Sequence, residues 1–265
     1  LFVKRAKEKQ VFTWWGLIVG SICFLPILVL GLPFPLQIWP YAIVSALVEG
    51  AYYLVLIQAY EHGDFSLVYP MARGSAPAFL ALWAVLFLGE RPKPAGLAGL
   101  ALLVFGLILV GGNAWWTLRK MSALHTSSVA LAMGVAVCIS IYSAIDGAAV
   151  HIAAPVPYTV LVIGLSAVFI TPAVLIRYGR SAIISEWRTN WWRLLLVGLF
   201  MLLSYMLVLV VYSFARVSYA GAIREISVVF GAFLGWLWLG EEFGVLRTIG
   251  AILIFVGILI IAILG

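Results

Sequence analysis

Apolar runs of about twenty residues follow one another along almost the whole chain. A helix needs roughly 20 mainly apolar residues to cross the hydrocarbon of a bilayer. Nine stretches meet that condition, at about 11–32, 37–60, 65–88, 95–112, 127–150, 156–176, 192–215, 217–239 and 245–264. They are spans A to I in that order. The breaks are short and turn-like: LPFP at 32–35, EHGD at 61–64, GERPKP at 89–94, APVP at 154–157 and LGEE at 239–242. Barrel strands would be about ten residues of alternating polarity, and these runs are too long and too uniformly apolar for that. Segment 180–193, RSAIISEWRTNWWR, mixes Arg, Trp and apolar residues and reads as an interfacial stretch ahead of span G.

Composition narrows the class further. Of 265 residues, 65% are hydrophobic and 10% charged, and the mean hydropathy is +1.16. A soluble domain carries about 25% charged residues. So little charge excludes a soluble enzyme, a nucleic-acid binder and a disordered chain. An all-α polytopic membrane protein remains. The opening LFVKRAKEKQ reads as a charged loop, because the apolar run behind it is too long for a signal peptide and no A-x-A site follows. Cys23 and Cys138 lie in apolar stretches without metal or CxxC spacing. They are expected to be inert core residues, and no metal or cofactor is implied.

The chain also resembles itself. Residues 66–112 slid by 151 positions fall on 217–263, with ten of 47 identical. Arg73 falls on Arg224, Phe79 on Phe230, Gly89-Glu90 on Gly240-Glu241, Gly99 on Gly250 and Gly106 on Gly257. Arg and Gly-Glu weigh most, because they are scarce here. Spans C and D thus match H and I, and carried backwards the offset matches A with F and B with G. Span E has no counterpart in the first copy. The expectation is two copies, at 1–113 and 125–265, and nine helices of a ten-helix 5+5 inverted-repeat bundle whose first helix precedes Leu1. An odd number of spans per copy turns the second copy upside down. Secondary transporters use that architecture, with the substrate near mid-membrane between the copies.

YPMARGSAPAFLALWAVLFLGERP and its echo AGAIREISVVFGAFLGWLWLGEE resemble the EamA-like family of the drug/metabolite transporter superfamily. LFVKRAKEKQVFTWW is similar to that family where its first and second helices meet. The resemblance covers essentially the whole chain, and the Gly-Glu endings are its more specific part. It implies a ten-helix metabolite transporter, often an exporter, with a cavity walled by both copies.

Charge sets the orientation. Loops on the side of residues 1–10 hold eleven Lys and Arg (Lys4, Arg5, Lys7, Lys9, Arg119, Lys120, Arg177, Arg180, Arg188, Arg193, Arg247), against three opposite (Arg91, Lys93, Arg216). The positive-inside rule puts residues 1–10 in the cytoplasm and Gly265 outside. The family resemblance implies both termini inside, and the charge count is preferred here.

Ionisable residues inside spans are costly and are functional candidates by default. Five qualify: Glu49 in B, Arg73 in C, Asp146 in E, and Arg224 with Glu225 in H. Arg73 sits about eight residues, or roughly 12 Å, into its span. Glu49, Tyr52, Tyr53, Leu56 and Tyr60 follow i, i+3, i+4 spacing and make one face of B polar and aromatic. Tyr69 shares a face with Arg73, Tyr142 with Asp146, and Tyr205 with Tyr212. The functional reading is a polar cavity whose substrate site comprises Glu49, Tyr53, Tyr69, Arg73, Tyr142, Asp146, Tyr205, Arg224 and Glu225. Arg73 and Arg224 would hold a carboxylate or phosphate. Glu49, Asp146 or Glu225 would gain and lose a proton, since desolvation disfavours a charged carboxylate. The alternative is static Arg–carboxylate pairing that locks helices together. Glu90 and Glu241, at helix ends, read as caps or interfacial contacts.

Trp14, Trp15, Trp39, Trp115, Trp116, Trp187, Trp191 and Trp192 fall at span boundaries and read as an interfacial belt. Trp83, Trp236 and Trp238 lie deeper, for packing or for stacking on a substrate. Gly16/Gly20 and Gly231/Gly235 have the spacing of close helix contacts, and Pro70, Pro77 and Pro172 are candidate kinks. The expected protein is therefore a carrier and not an enzyme. It is a multi-pass protein of a bacterial inner membrane, a monomer or homodimer contacting membrane lipid. It moves small polar or amphoteric metabolites, with protons as coupling ion, by alternating access. A lipid or lipid-linked-precursor flippase, or a channel, of the same fold is the alternative.

Overall fold

The computed structural model describes residues 8–62, 65–110, 123–227, 230 and 245–264. Among them are nine helices: α1 (Lys9–Cys23), α2 (Leu25–Leu30), α3 (Ile38–His62), α4 (Phe65–Phe87), α5 (Pro94–Val110), α6 (Ala123–Ala149), α7 (Pro155–Tyr212), α8 (Val217–Arg224) and α9 (Val245–Leu264). The described residues form no strand.

These nine are not the nine spans one for one. Span A is two helices, because Pro26 stands at the second position of α2. Its ring has no N–H to give and blocks the carbonyl four residues back, so the chain turns at Phe24 (φ −99°, ψ 7°). Spans F and G, expected apart, are two arms of α7 that meet at Gly179 (φ 69°, ψ 169°). Positive φ is a conformation glycine adopts without cost. The interfacial segment 180–193 is therefore helical and continuous with span G. It buries Ile183, Glu186, Asn190 and Leu194 on one stripe and exposes Trp187, Trp191 and Trp192. Span H is a short helix ending at Arg224, and most of its remainder, with Gly231, Gly235, Trp236, Trp238 and Glu241, lies outside the described residues. Trp115 and Trp116 lie outside them as well. By length and composition, residues 38–56, 129–149 and 155–212 suffice to cross a membrane, with shorter apolar helices at 72–87, 94–109 and 248–264.

The chain divides into two compact units. Unit 1 is 1–57 with 145–214, and unit 2 is 58–144 with 215–265. Spans A, B, F and G thus fall in unit 1, and C, D, H and I with most of span E in unit 2.

In unit 1, α1 lies against the second arm of α7. A Cβ on Gly20 would stand 2.6 Å from the Gly198 carbonyl oxygen, and one on Gly198 would stand 2.5 Å from that of Gly16. Backbone meets backbone there, as small residues allow between membrane helices. Gly50 of α3 faces the first arm, where a Cβ would stand 3.1 Å from the Ile170 side chain. Val11, Leu17, Val160, Ile163, Ile170, Leu202 and Met206 fill the space between. Trp14 is buried with them, its indole N–H donating to Thr171 Oγ1 at 2.9 Å. It is thus a packing residue and not part of an interfacial belt. Cys23 is exposed, not a core residue.

In unit 2, α5 and α9 cross at glycines. A Cβ on Gly99 would meet the Gly257 oxygen at 2.9 Å, and one on Gly106 the Gly250 oxygen at 2.7 Å. As α5 advances from 99 to 106, α9 retreats from 257 to 250, so the two run antiparallel. Leu100, Leu103, Leu107, Tyr219, Ala222, Ile254 and Ile261 pack about this crossing.

Glu90 ties the loop between α4 and α5 to the start of α8. Gly89, at φ 66°, turns the chain so that the Glu90 N–H reaches the Ala84 carbonyl, 3.1 Å away. The Glu90 carboxylate then accepts from the backbone N–H of Val217 at 2.5 Å and of Ser218 at 3.4 Å, and from the Ser218 hydroxyl. The cap position of α8, Arg216, offers no side-chain bond. Glu90 fills that role from a distant loop and places negative charge at a helix N-terminus. Glu90→Ala is expected to cost about 1 kcal/mol, read as a lowered thermal midpoint of the purified protein in detergent.

Candidate functional site

The ionisable residues within the spans fall into two groups, one in each unit. In unit 1, α3 supplies Glu49 and Tyr53, one turn apart on one face. The end of α6 supplies Asp146. The first arm of α7 brings Tyr158 and Ser166, and the second arm brings Tyr205. Glu49 is 3% exposed and Asp146 is fully buried. Asp146 accepts from two phenols: Tyr158 donates to Oδ1 at 2.8 Å and Tyr205 donates to Oδ2. Glu49 Oε2 lies 2.9 Å from the Ser166 hydroxyl, and Oε1 has a long 3.4 Å contact from Tyr53. The two acids lie within electrostatic reach of each other, and Tyr158 within reach of both. Among the described residues, no cation pairs with either acid.

Phenols suit such a place. Each presents an apolar ring to the bundle and one O–H to the acid, so a charge can be held inside the unit without a second ion.

Unit 2 holds the arginines. Glu225 is fully buried, and its Oε1 accepts from Arg73 Nη1 at 3.2 Å and from Arg224 Nε at 3.3 Å. The Arg73 and Arg224 side chains keep 28% and 15% exposure. Glu225 Oε2 is buried with no hydrogen-bond partner among the described residues. Two guanidiniums on one carboxylate oxygen make a compact ionic group.

Of the nine expected site residues, Glu49, Tyr53, Asp146 and Tyr205 are in the first group, and Arg73, Arg224 and Glu225 in the second. Tyr142 is buried in unit 2. Tyr69 is on α4, and its side chain lies outside the described ones. Tyr158 and Ser166 are the partners sequence reasoning passed over. Ser166 was open to notice as the one hydroxyl residue in VLVIGLSAVFI, residues 160–170. Trp83, expected to pack or stack, donates its indole N–H to Ser140 at 2.9 Å.

Comparison with known proteins places this geometry. No curated protein matches the chain. Among solved structures 29 chains match. One of them, titled only as the crystal structure of a protein, is 16% identical, with a TM-score of 0.77 over 99% of this chain and 91% of its own. That likeness is one of fold. The model of the EamA-like transporter family matches residues 2–112 and again 126–263. With nearly the whole chain matched and buried charge held between apolar helices, the chain belongs to the EamA-like transporter family and is a multi-pass integral membrane protein.

Proposed function

We propose that the chain exports small polar or amphoteric metabolites, amino acids or related compounds, across a bacterial inner membrane, driven by protons through alternating access. The observation that carries this reading is the acid–tyrosine group of unit 1. Two acids there are held by phenol and hydroxyl partners and pair with no cation among the described residues. Such a group has room in its charge balance for a cationic amine or a proton. Arg73 and Arg224 supply the complementary chemistry for an anionic group, since guanidinium donors match carboxylate geometry. Burial of both acids fits a carrier state in which the site is not continuously open to water.

Two inverted copies, over 1–113 and 125–265, are part of the proposal. One family model meeting the chain twice supports the duplication. Reciprocal contacts support the inversion. Gly99 meets Gly257, the counterpart of Gly106, while Gly106 meets Gly250, the counterpart of Gly99. That is the pattern a two-fold axis makes, position i on j and j on i. Unit 1 repeats it: Gly16 packs beside Met201, and Gly50, the counterpart of Met201, packs beside Ser166 to Ile170, the counterparts of 15–19.

Counterflow tests the function. Purified protein in liposomes loaded with one amino acid at a time should take up the same labelled compound saturably for at least one member of the panel, with an imposed pH gradient driving accumulation. Leakage proportional to concentration for every compound, or movement of labelled lipid alone, overturns the carrier reading in favour of a channel or a flippase.

A further inference from the structure

We infer that Glu49 carries the hydrogen of the unit 1 group and donates it to Ser166, which acts as its positioning residue, while Asp146 is the fixed anion. The place of this hydrogen in a transport cycle rests on the carrier reading above. Its location rests only on hydrogen-bond accounting.

Ser166 Oγ lies 2.9 Å from the Val162 carbonyl oxygen and 2.9 Å from Glu49 Oε2. A serine hydroxyl has one hydrogen to give, and a carbonyl oxygen has none. An ionised Glu49 would also have none. One of the two contacts would then set oxygen against oxygen with no hydrogen between, deep in apolar protein, where an unmade hydrogen bond is costly. A protonated Glu49 fills both: its O–H donates to Ser166 Oγ, and Ser166 donates back to Val162.

Two other helical hydroxyls show the same arrangement with the ambiguity removed. Thr171 Oγ1 donates to the Ala167 carbonyl at 2.7 Å and accepts from the Trp14 indole at 2.9 Å. Ser140 Oγ donates to the Val137 carbonyl at 2.8 Å and accepts from the Trp83 indole at 2.9 Å. Bonding back to the preceding turn is the habit of such hydroxyls in helices. In both cases the outside partner is an indole N–H, which can only donate. At Ser166 the outside partner is a carboxyl group, and it takes the donor's part.

Asp146 is held in the opposite way. Both its oxygens accept phenol hydrogens, and neither contact asks it to donate. The titratable groups that face Glu49 are Tyr53 on its own helix, Asp146 from α6 and Tyr158 from α7. A hydrogen on Glu49 leaves one negative charge on the pair and removes a like-charge repulsion with Asp146 that low dielectric would make large.

Infrared difference spectroscopy reads the hydrogen directly and needs no substrate. The probe is the purified full chain in phosphatidylcholine vesicles at neutral pH, exchanged between H2O and D2O. Wild type should show a protonated-carboxyl C=O band that shifts on exchange. Glu49→Gln should lose that band, and Asp146→Asn should keep it. Ser166→Ala should keep it at higher frequency, because the accepting hydroxyl is gone. Survival of the band in Glu49→Gln, its loss in Asp146→Asn, or an unmoved band in Ser166→Ala overturns the assignment. Ser166→Ala is a small change in a back-bonded position and keeps the test open should Glu49→Gln fail to fold. Absent counterflow with this spectral pattern intact would sink the carrier reading alone.

Discussion

Glu225→Ala is expected to destabilise the protein by about 3 kcal/mol, measured as loss of thermal stability in detergent. The reason is the convergence of Arg73 and Arg224 on one oxygen of a fully buried carboxylate. Removing one member of a buried ionic group leaves charge without its counter-charge, which costs roughly 3–5 kcal/mol. The lower end applies because Arg73 keeps 28% side-chain exposure, so water offsets part of the loss. With the acid gone, two guanidiniums face each other across the space it filled. Glu225→Gln keeps an acceptor at the shared position and removes only the charge, so it should fall between alanine and wild type. An alanine variant that melts with wild type would show that Glu225 does not hold α4 to the end of α8, and that the arginines are placed by something else.

That arrangement shows why parts of the site could be read from sequence and parts could not. Arg224 and Glu225 are neighbours in the chain, and in a continuous helix neighbours point about 100° apart and do not meet. Here they meet at the C-terminal cap of α8, where Glu225 keeps a right-handed helical φ of −72° and the long Arg224 side chain reaches its carboxylate at 3.3 Å. Helical periodicity alone does not foresee that contact. Glu49 and Asp146 were legible as costly charges in apolar runs, since that cost depends on composition alone. Tyr53 and Tyr205 were legible beside them as phenols on polar faces, but Tyr158 and Ser166 were not. Ser166 lies 117 positions from Glu49, and its hydroxyl looks harmless in sequence because it can bond back to its own helix.

The fold divides in a similar way. The offset of 151 pairs Gly99 with Gly250 and Gly106 with Gly257, and these four glycines meet where α5 crosses α9. The helix ends were harder. Pro26 was not among the prolines read as kinks, because it stands inside an unbroken apolar run. Segment 180–193 looked like a separate interfacial stretch because its Arg and Trp dominate the composition. Its buried stripe of Ile183, Glu186, Asn190 and Leu194 has helical spacing and carries the second arm of α7 back to Gly179. Glu186 and Asn190 satisfy each other there at 2.7 Å, and Asn190 accepts from Arg193 at 3.0 Å.

Asp146 should show the largest functional effect, and two substitutions separate its charge from its packing. Asp146→Ala removes the acceptor for both Tyr158 and Tyr205. Each phenol then loses a buried bond worth about 1–3 kcal/mol, so the variant should unfold at markedly lower temperature. Asp146→Asn keeps the shape and one carbonyl oxygen. Its amide can donate to the other phenol oxygen, because a phenol accepts as well as donates. The asparagine variant should therefore stay close to wild-type stability. It has no negative charge to offer a cationic group. Truncating one partner of a buried charge pair costs about 2–5 kcal/mol of binding, which is roughly 30- to 4,000-fold in affinity. Counterflow of a compound carried by wild type should accordingly lose at least that lower factor in apparent affinity, with the protein still folded. An asparagine variant that carries the compound as wild type does would show that Asp146 braces α6 against α7 through its phenols and meets no cargo.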